Sequence, residues 1–112
     1  MSTLAVIGEP FIWKTYDRWG RPVALTPSSW SQHINVPGHL TPEQWQWVIE
    51  TAEVTFWDVS DHTMKYIRSA VVGKTVKILV IVVNTQTTPW TVRTGFLTSK
   101  LSGRYQVSHE GG

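Results

Sequence analysis

The strongest structural signal in the sequence is VKILVIVV, residues 76–83. Almost every residue in this run is β-branched or aliphatic, which favours an extended backbone. A strand that is apolar on both faces needs cover on both faces. The run therefore predicts a central strand of a sheet.

Three further strands are predicted around this central one. They are residues 54–59, 64–70 and 90–97, and the last alternates strictly between apolar and polar positions. Short reversals lie on either side of residues 76–83, and such short connections join antiparallel neighbours. The sequence thus predicts an antiparallel sheet of about four strands.

A hairpin and two helices are predicted ahead of the sheet. The aromatic segment 10–17 and residues 21–25 flank a short turn and are typical of a hairpin. Both helices begin at Thr-Pro, an N-cap hydroxyl followed by a proline suited to the first turn. The first covers about residues 27–34, and the second covers 42–52 with a capping box at Gln44 and one apolar face. The predicted fold class is α+β, with the hairpin and the helices packed on the four-stranded sheet.

Length and composition limit the classes of protein that remain. A chain of 112 residues predicts a single domain, with 1–25 as a hairpin extension, 26–98 as the core and 99–112 as a C-terminal tail. There is no cysteine, which excludes a disulfide scaffold and zinc–thiolate sites. No nucleotide-binding, metalloprotease or α/β-hydrolase motif occurs, so we expect no cofactor and no metal. The longest apolar run is too short for a membrane span and the N-terminus does not resemble a secretory signal, so we expect a cytoplasmic protein.

Charge is distributed unevenly along the chain. Residues 1–61 contain three basic and seven acidic side chains, whereas residues 62–109 contain seven basic and no acidic ones. Cations without local counter-ions suit a polyanion such as RNA. The alternative is that the acidic half folds back and neutralises the basic half.

The order of these elements resembles the phage-type nuclease domains called PBECR, over roughly residues 21–98. The most specific part is the helix with Trp30 and His33 three residues apart, after a short strand. The pattern as a whole consists of residues 23–26, 30–34, His39 before a helix, Val54, residues 66–68 and residues 77–83. The resemblance implies the barnase–EndoU–colicin–RelE fold and RNA cleavage without a metal ion. The aromatic hairpin is a departure from that family.

Three residues are candidates for catalysis. His33 has the side chain whose ordinary pKa suits general acid or base chemistry, and it shares a helix face with Trp30. Tyr66 and Arg68 share one face of a strand, where a guanidinium binds phosphate and a phenol donates or stacks. The structural alternatives are a helix histidine bonded to a backbone carbonyl, cross-strand packing for Tyr66 and a surface charge for Arg68.

Four more residues are candidates for contacts with nucleic acid. They are Lys65, Lys77, Arg93 and His39, the last in a loop before a helix N-terminus that attracts phosphate. Trp19 and Trp47 lie outside the predicted apolar faces, which leaves them available to stack on a base or to fill a protein interface.

These residues predict a metal-independent endoribonuclease that cleaves RNA by attack of the 2′-hydroxyl, as a toxin or as an effector of a phage or mobile element. Two alternatives remain open at this point. One is a nucleic-acid-binding module without catalysis. The other is a protein-interaction domain whose tryptophans contact an antitoxin or a second copy of the chain.

Overall fold

The computed structural model describes residues 5–6, 8, 10–31, 41–98 and 109–110. Two helices are present in this part of the chain, α1 (Pro27–Ser29) and α2 (Pro42–Thr51). The strands are β1 (Ala5–Val6), β2 (Trp13–Tyr16), β3 (Pro22–Leu25), β4 (Val54–Asp58), β5 (Thr63–Val72), β6 (Thr75–Asn84), β7 (Thr87–Thr88), β8 (Trp90–Thr98) and β9 (His109–Glu110).

The four strands predicted after the helices form an antiparallel meander in the order β4-β5-β6-β8. β6 lies between β5 and β8, so the prediction of a central strand at residues 76–83 is confirmed. Residues 79–83 are buried on both faces of the sheet. The apolar run therefore has the cover that its composition requires.

The hairpin forms as predicted, but it does not pack on the sheet. β2 and β3 are antiparallel, and β3 pairs in parallel with β8 through Val23–Trp90 and Ala24–Thr91. The sheet is therefore open and mixed, with six strands in the order β2-β3-β8-β6-β5-β4, and β9 adds two residues beside β4. The prediction of a four-stranded, purely antiparallel sheet was wrong. Without the hairpin, β8 would have an unpaired edge, and β3 pairs with that edge.

A β-bulge at Arg93 breaks the strict alternation predicted for β8. Val92 lies opposite Val83, and Thr94 lies opposite the adjacent residue Val82, so Arg93 is an extra residue without a partner. The bulge moves the following side chains to the other face. Gly95 consequently lies on the face that packs against α2, which alternation had assigned to Thr94.

α2 begins and packs as its sequence predicts. Thr41 and Gln44 form a reciprocal capping box, which satisfies two backbone groups at the helix start. Its apolar face is fully buried, and its members are Trp45, Val48, Ile49 and Ala52. The indole of Trp13 donates to the Pro42 carbonyl at 2.8 Å, and Thr15 donates to Glu50, so β2 is bonded to both ends of the helix.

The far end of the β5–β6 hairpin extends beyond the described residues of β4 and β8. Within the described residues, β4 pairs with β5 as far as Ile67, and β8 pairs with β6 as far as Ile78. Residues 70–77 pair only with each other among the described strands. Val71 and Val76 lie opposite one another there and are 73% and 65% exposed.

The first helix begins at Pro27 behind the N-cap Thr26, as predicted. Residues 32–40 lie outside the described residues, and with them His33, His39 and the end predicted for this helix. The two described helices are too short and too polar to span a lipid bilayer.

Replacing Gly95 with valine tests the packing of α2 on the sheet. A Cβ at Gly95 would lie 3.2 Å from the Trp45 ring, which is itself fully buried. We expect Gly95→Val to lower the free energy of unfolding by about 1–3 kcal/mol through overpacking, measured by urea denaturation. Gly8→Ala, at an exposed position with open space around it, should change stability by less than about 0.5 kcal/mol. Equal stability of the two variants would contradict this packing.

Candidate nucleic-acid interface

The carboxylate of Asp17 is buried at the turn between β2 and β3 and accepts four hydrogen bonds. Two come from the backbone N–H groups of Trp19 and Arg21, at 2.9 and 2.8 Å. The third comes from Arg21 Nε at 2.6 Å, and the fourth from the Tyr66 hydroxyl at 2.5 Å. A carboxylate with four donors is well satisfied although its side chain has no exposed surface.

Arg21 is held by this carboxylate and by three aromatic rings. Its guanidinium carbon lies 5.4 Å from the Trp19 ring centroid, 5.3 Å from that of Trp90 and 5.8 Å from that of Tyr66. These distances are within the range of cation–π attraction. The side chain nevertheless remains 31% exposed. The position of this guanidinium is thus fixed before any ligand binds.

Two more arginines lie at the C-terminal end of α2. Arg68 Nη1 donates to the Thr51 carbonyl at 3.1 Å, and Arg18 Nη1 donates to the Ala52 carbonyl at 3.3 Å. Cations at this end of a helix are favourable because the last carbonyls carry partial negative charge. The Arg68 guanidinium also lies 4.8 Å from the centroid of the Trp47 ring, which is 40% exposed.

Glu53 lies between these two arginines. Its carboxylate accepts bonds from the backbone N–H and the hydroxyl of Ser69, both at 2.7 Å. These two bonds lower the pKa of Glu53, and the charges of Arg68 and Arg18 lower it further. The carboxylate therefore stays ionised and balances part of the positive charge at the end of α2.

We call the resulting surface the arginine–tryptophan cluster, and define it as Arg18, Arg21, Arg68, Trp19, Trp47 and Trp90. It contains three guanidinium groups against the two carboxylates of Asp17 and Glu53. The rings that it contains are exposed or half-buried. Cations beside accessible rings are the combination that binds single-stranded nucleic acid.

Tyr66 and Arg68 share a sheet face, as strand parity predicts, but they lie at different depths. The phenol of Tyr66 is fully buried, whereas Arg68 is half-buried. Burial raises the pKa of Tyr66 above its ordinary value of 10.0, and the bond to Asp17 raises it further. In this position the phenol joins β5 to the hairpin turn and does not reach a surface ligand.

Lys65 lies on the opposite face of the sheet from Arg68. It is 5% exposed, and its ammonium donates to Thr63 Oγ1 at 3.0 Å and to Asp58 Oδ2 at 3.3 Å. The hydroxyl of Ser60 lowers the pKa of Asp58, and Lys65 contributes to the same effect. Lys65 therefore has an acidic partner, although that partner precedes the acid-free part of the sequence.

Lys77 and Arg93 occupy two further positions. The register places Lys77 on the same face as Arg68, diagonally across the β5–β6 pair, where it is half-buried. Arg93 is the exposed residue of the bulge in β8. Lys65, Arg68, Lys77 and Arg93 thus do not share one face: Arg68 and Lys77 lie on one face of the sheet, and Lys65 lies on the other. The contacts predicted for His33 and His39 lie outside the described residues and stay predictions.

Arg18 and Arg21 were not predicted as site residues, because both belong to the acid-rich half. The signal that could have found them is the order Asp17, Arg18, Trp19, Gly20, Arg21 in a tight turn. A turn of this length presents its cations and its ring close together, next to a carboxylate that can fix them. The net charge of residues 1–61 as a whole does not reveal such a local arrangement of cations.

Comparison with protein-family models, with curated proteins and with solved structures gives no match to this chain. The interface is therefore interpreted from its own geometry.

Replacing Tyr66 with phenylalanine tests the bond to Asp17. The variant removes one of four donors from a buried carboxylate, and we expect a loss of about 1.5–3 kcal/mol in the free energy of unfolding at neutral pH. Tyr16→Phe, at an exposed tyrosine of the same hairpin, should change stability by less than about 0.5 kcal/mol.

The pH dependence of the same pair has a defined sign. Because the pKa of Tyr66 is raised on folding, its contribution to stability is complete below the ordinary value of 10.0 and decreases as pH rises above it. Urea denaturation of the wild type and of Tyr66→Phe between pH 7 and 11 should show the two stabilities converging. A constant difference across that range would contradict the assignment.

Proposed function

We propose that this protein binds single-stranded RNA on the arginine–tryptophan cluster. The observation that carries the proposal is the Arg68 guanidinium stacked at 4.8 Å over the exposed ring of Trp47. Every base has a π-face that can stack on such a ring, and a guanidinium beside it pairs with the phosphate of the same strand.

The charge of the surface supports a nucleic-acid ligand over a neutral one. Arg18 from the hairpin turn and Arg68 from β5 both donate to carbonyls at the end of α2, and Lys77 lies on the same face of the sheet as Arg68. Their field attracts a polyanion before contact is made. Association should therefore depend on salt concentration.

The accessible rings favour a single strand over a duplex. Bases of a duplex are stacked on each other and cannot stack on Trp47 without unpairing. RNA helices also have a deep, narrow major groove that side chains do not enter. Unpaired bases satisfy the ring and the guanidinium at the same time.

Cleavage of the bound RNA is a second candidate function, favoured by the order of elements. Helices that precede the meander β4-β5-β6-β8 agree with the order of elements in the resemblance to barnase–EndoU–colicin–RelE nucleases, whereas the six-stranded mixed sheet departs from it. In that case Arg68 holds the scissile phosphate and His33 acts as general acid or base, without a metal ion. The phenol of Tyr66 has no part in this proposal, because it is bound to Asp17.

Replacing Trp47 with alanine tests RNA binding. We expect the affinity for a fluorescent single-stranded RNA decamer to fall about tenfold or more through the loss of one stacked base, measured by fluorescence anisotropy. Trp57→Ala removes another tryptophan of similar exposure and should leave the affinity within twofold of the wild type. The affinity should also fall by roughly 0.7 log units per tenfold increase in salt for each phosphate neutralised.

An affinity equal in both variants would contradict a stacking role for Trp47. An affinity independent of salt would contradict the electrostatic part of the proposal. If the wild type fails to bind RNA but forms a dimer or a stable complex with another protein, the surface is a protein interface instead.

Replacing His33 with alanine tests cleavage. If His33 is the general acid or base, the rate of cleavage of the same decamer in EDTA should fall by about 10²–10⁴-fold while the dissociation constant stays within a fewfold of the wild type. Gel analysis of the products measures the rate. Absence of cleavage by the wild type, with binding intact, would restrict the function to binding.

A further inference from the structure

A pocket of about 210 Å³ lies between the hairpin turn and the loop that precedes β8. It is lined by Arg21, Pro22, Thr87, Thr88, Pro89 and Trp90. Sites for whole drug-sized ligands measure roughly 300–1,000 Å³. This pocket therefore has the size for one planar ring system attached to a larger molecule.

The guanidinium of Arg21 forms one wall in a fixed orientation. Its Nε is bonded to Asp17, and its plane is held beside the rings of Trp19 and Trp90. A side chain that is already ordered loses little conformational entropy when a ligand contacts it. This side chain is 31% exposed and lines the pocket, while its Nη2 is buried.

The electrostatics of the pocket favour an uncharged group over a phosphate. Asp17 lies 2.6 Å from Arg21 Nε and neutralises its charge locally. The other walls consist of two prolines, two threonines and one tryptophan, none of which carries a charge. A dianionic phosphate would meet the Asp17 carboxylate behind a single guanidinium, whereas a neutral planar group would meet apolar and π surfaces.

We infer that this pocket holds one unpaired nucleobase of the bound RNA. The inference rests on the proposed function and assigns a base-binding subsite to it. Bases splayed out of a single strand are recognised by stacking on aromatic rings and on guanidinium planes, and by hydrogen bonds to their edges. Trp90 and Arg21 supply these groups, and the exposed Thr88 lies at the rim.

The position of the pocket allows one RNA molecule to reach both the pocket and Trp47. Arg21 packs on the Tyr66 ring, and Tyr66 precedes Arg68 by two residues on the same face of β5. Successive residues on one strand face are about 6.6–6.8 Å apart. The contacts of Arg21 with Tyr66 and of Arg68 with Trp47 thus link the two sites, and an RNA segment of a few nucleotides can place one base on Trp47 and another in the pocket.

Filling the pocket tests the inference. Thr88→Phe puts a ring into the pocket from its exposed rim, and Gln86→Phe adds the same ring at a nearby exposed residue that does not line it. We expect Thr88→Phe to weaken binding of the single-stranded RNA decamer about tenfold or more, and Gln86→Phe to change it by less than twofold.

A measurement on the wild type needs no variant. Each of the four free nucleosides, and ribose 5-phosphate as the source of phosphate alone, is titrated while the NMR signals of the Trp90 indole and the Arg21 guanidinium are followed. At least one nucleoside should shift both signals at millimolar concentration, and ribose 5-phosphate should shift neither.

The outcomes separate the pocket from the proposed function. Unchanged decamer binding by Thr88→Phe, or shifts caused by ribose 5-phosphate and by no nucleoside, would overturn the base subsite while RNA binding stands. Failure of the wild type to bind the decamer would overturn RNA binding and the subsite together. If Thr88→Phe does not fold, the nucleoside titration alone decides.

Discussion

The buried carboxylate of Asp17 joins the two parts of the molecule that the sequence keeps far apart. It accepts from its own turn through Trp19 and Arg21 and from the middle of the sheet through Tyr66. Removing a carboxylate with four donors would leave those donors unsatisfied in a low-dielectric interior, which costs more than the net value of each bond. The hairpin turn is therefore held against the Tyr66 hydroxyl of β5, although β8 and β6 separate the hairpin from β5 in the sheet, and Arg21 is held beside Trp90.

Two arginines of the cluster each make a contact within the protein and also form part of the proposed binding surface. Arg68 satisfies a carbonyl at the end of α2 and stacks on Trp47, and Arg21 neutralises Asp17 and forms a wall of the pocket. Contacts to the protein hold each guanidinium in place, and each side chain is only partly buried. A binding surface built in this way is rigid before the ligand arrives, so less of the interaction energy is spent on ordering side chains.

The elements that local sequence determines were predictable, and those that depend on distant contacts were not. The four strands of the meander and α2 follow from periodicity and capping, and the structure has them within a few residues of the predicted bounds. The parallel pairing of β3 with β8 joins residues nearly seventy positions apart, and no periodicity reports it. The bulge at Arg93 was not predictable for the same reason, because an extra residue in one strand is recognised only from its pairing with the neighbouring strand.

The candidate site shows the same limit in its charges. Lys65 lies in the acid-free segment, yet it is bonded to Asp58 because the turn after β4 brings β5 back beside β4. Arg18 lies in the acidic segment, yet it meets Arg68 at the end of α2, and Arg21 of the same segment contacts Trp90 of β8. The apolar faces were predictable because each is formed by one element, whereas the cluster is formed by the β2–β3 turn, α2, β5 and β8. The paired face of Tyr66 and Arg68 was predictable from parity, and the difference in their burial was not.

The two ends of β6 differ in burial. Residues 79–83 are buried, whereas Val76 is 65% exposed, as is Val71 opposite it at 73%. Segments with few buried apolar side chains open locally at a lower free energy than the core. We therefore expect the amide protons near Val71 and Val76 to exchange with solvent sooner than those of residues 79–83, so that local opening at this end leaves the core of the sheet paired.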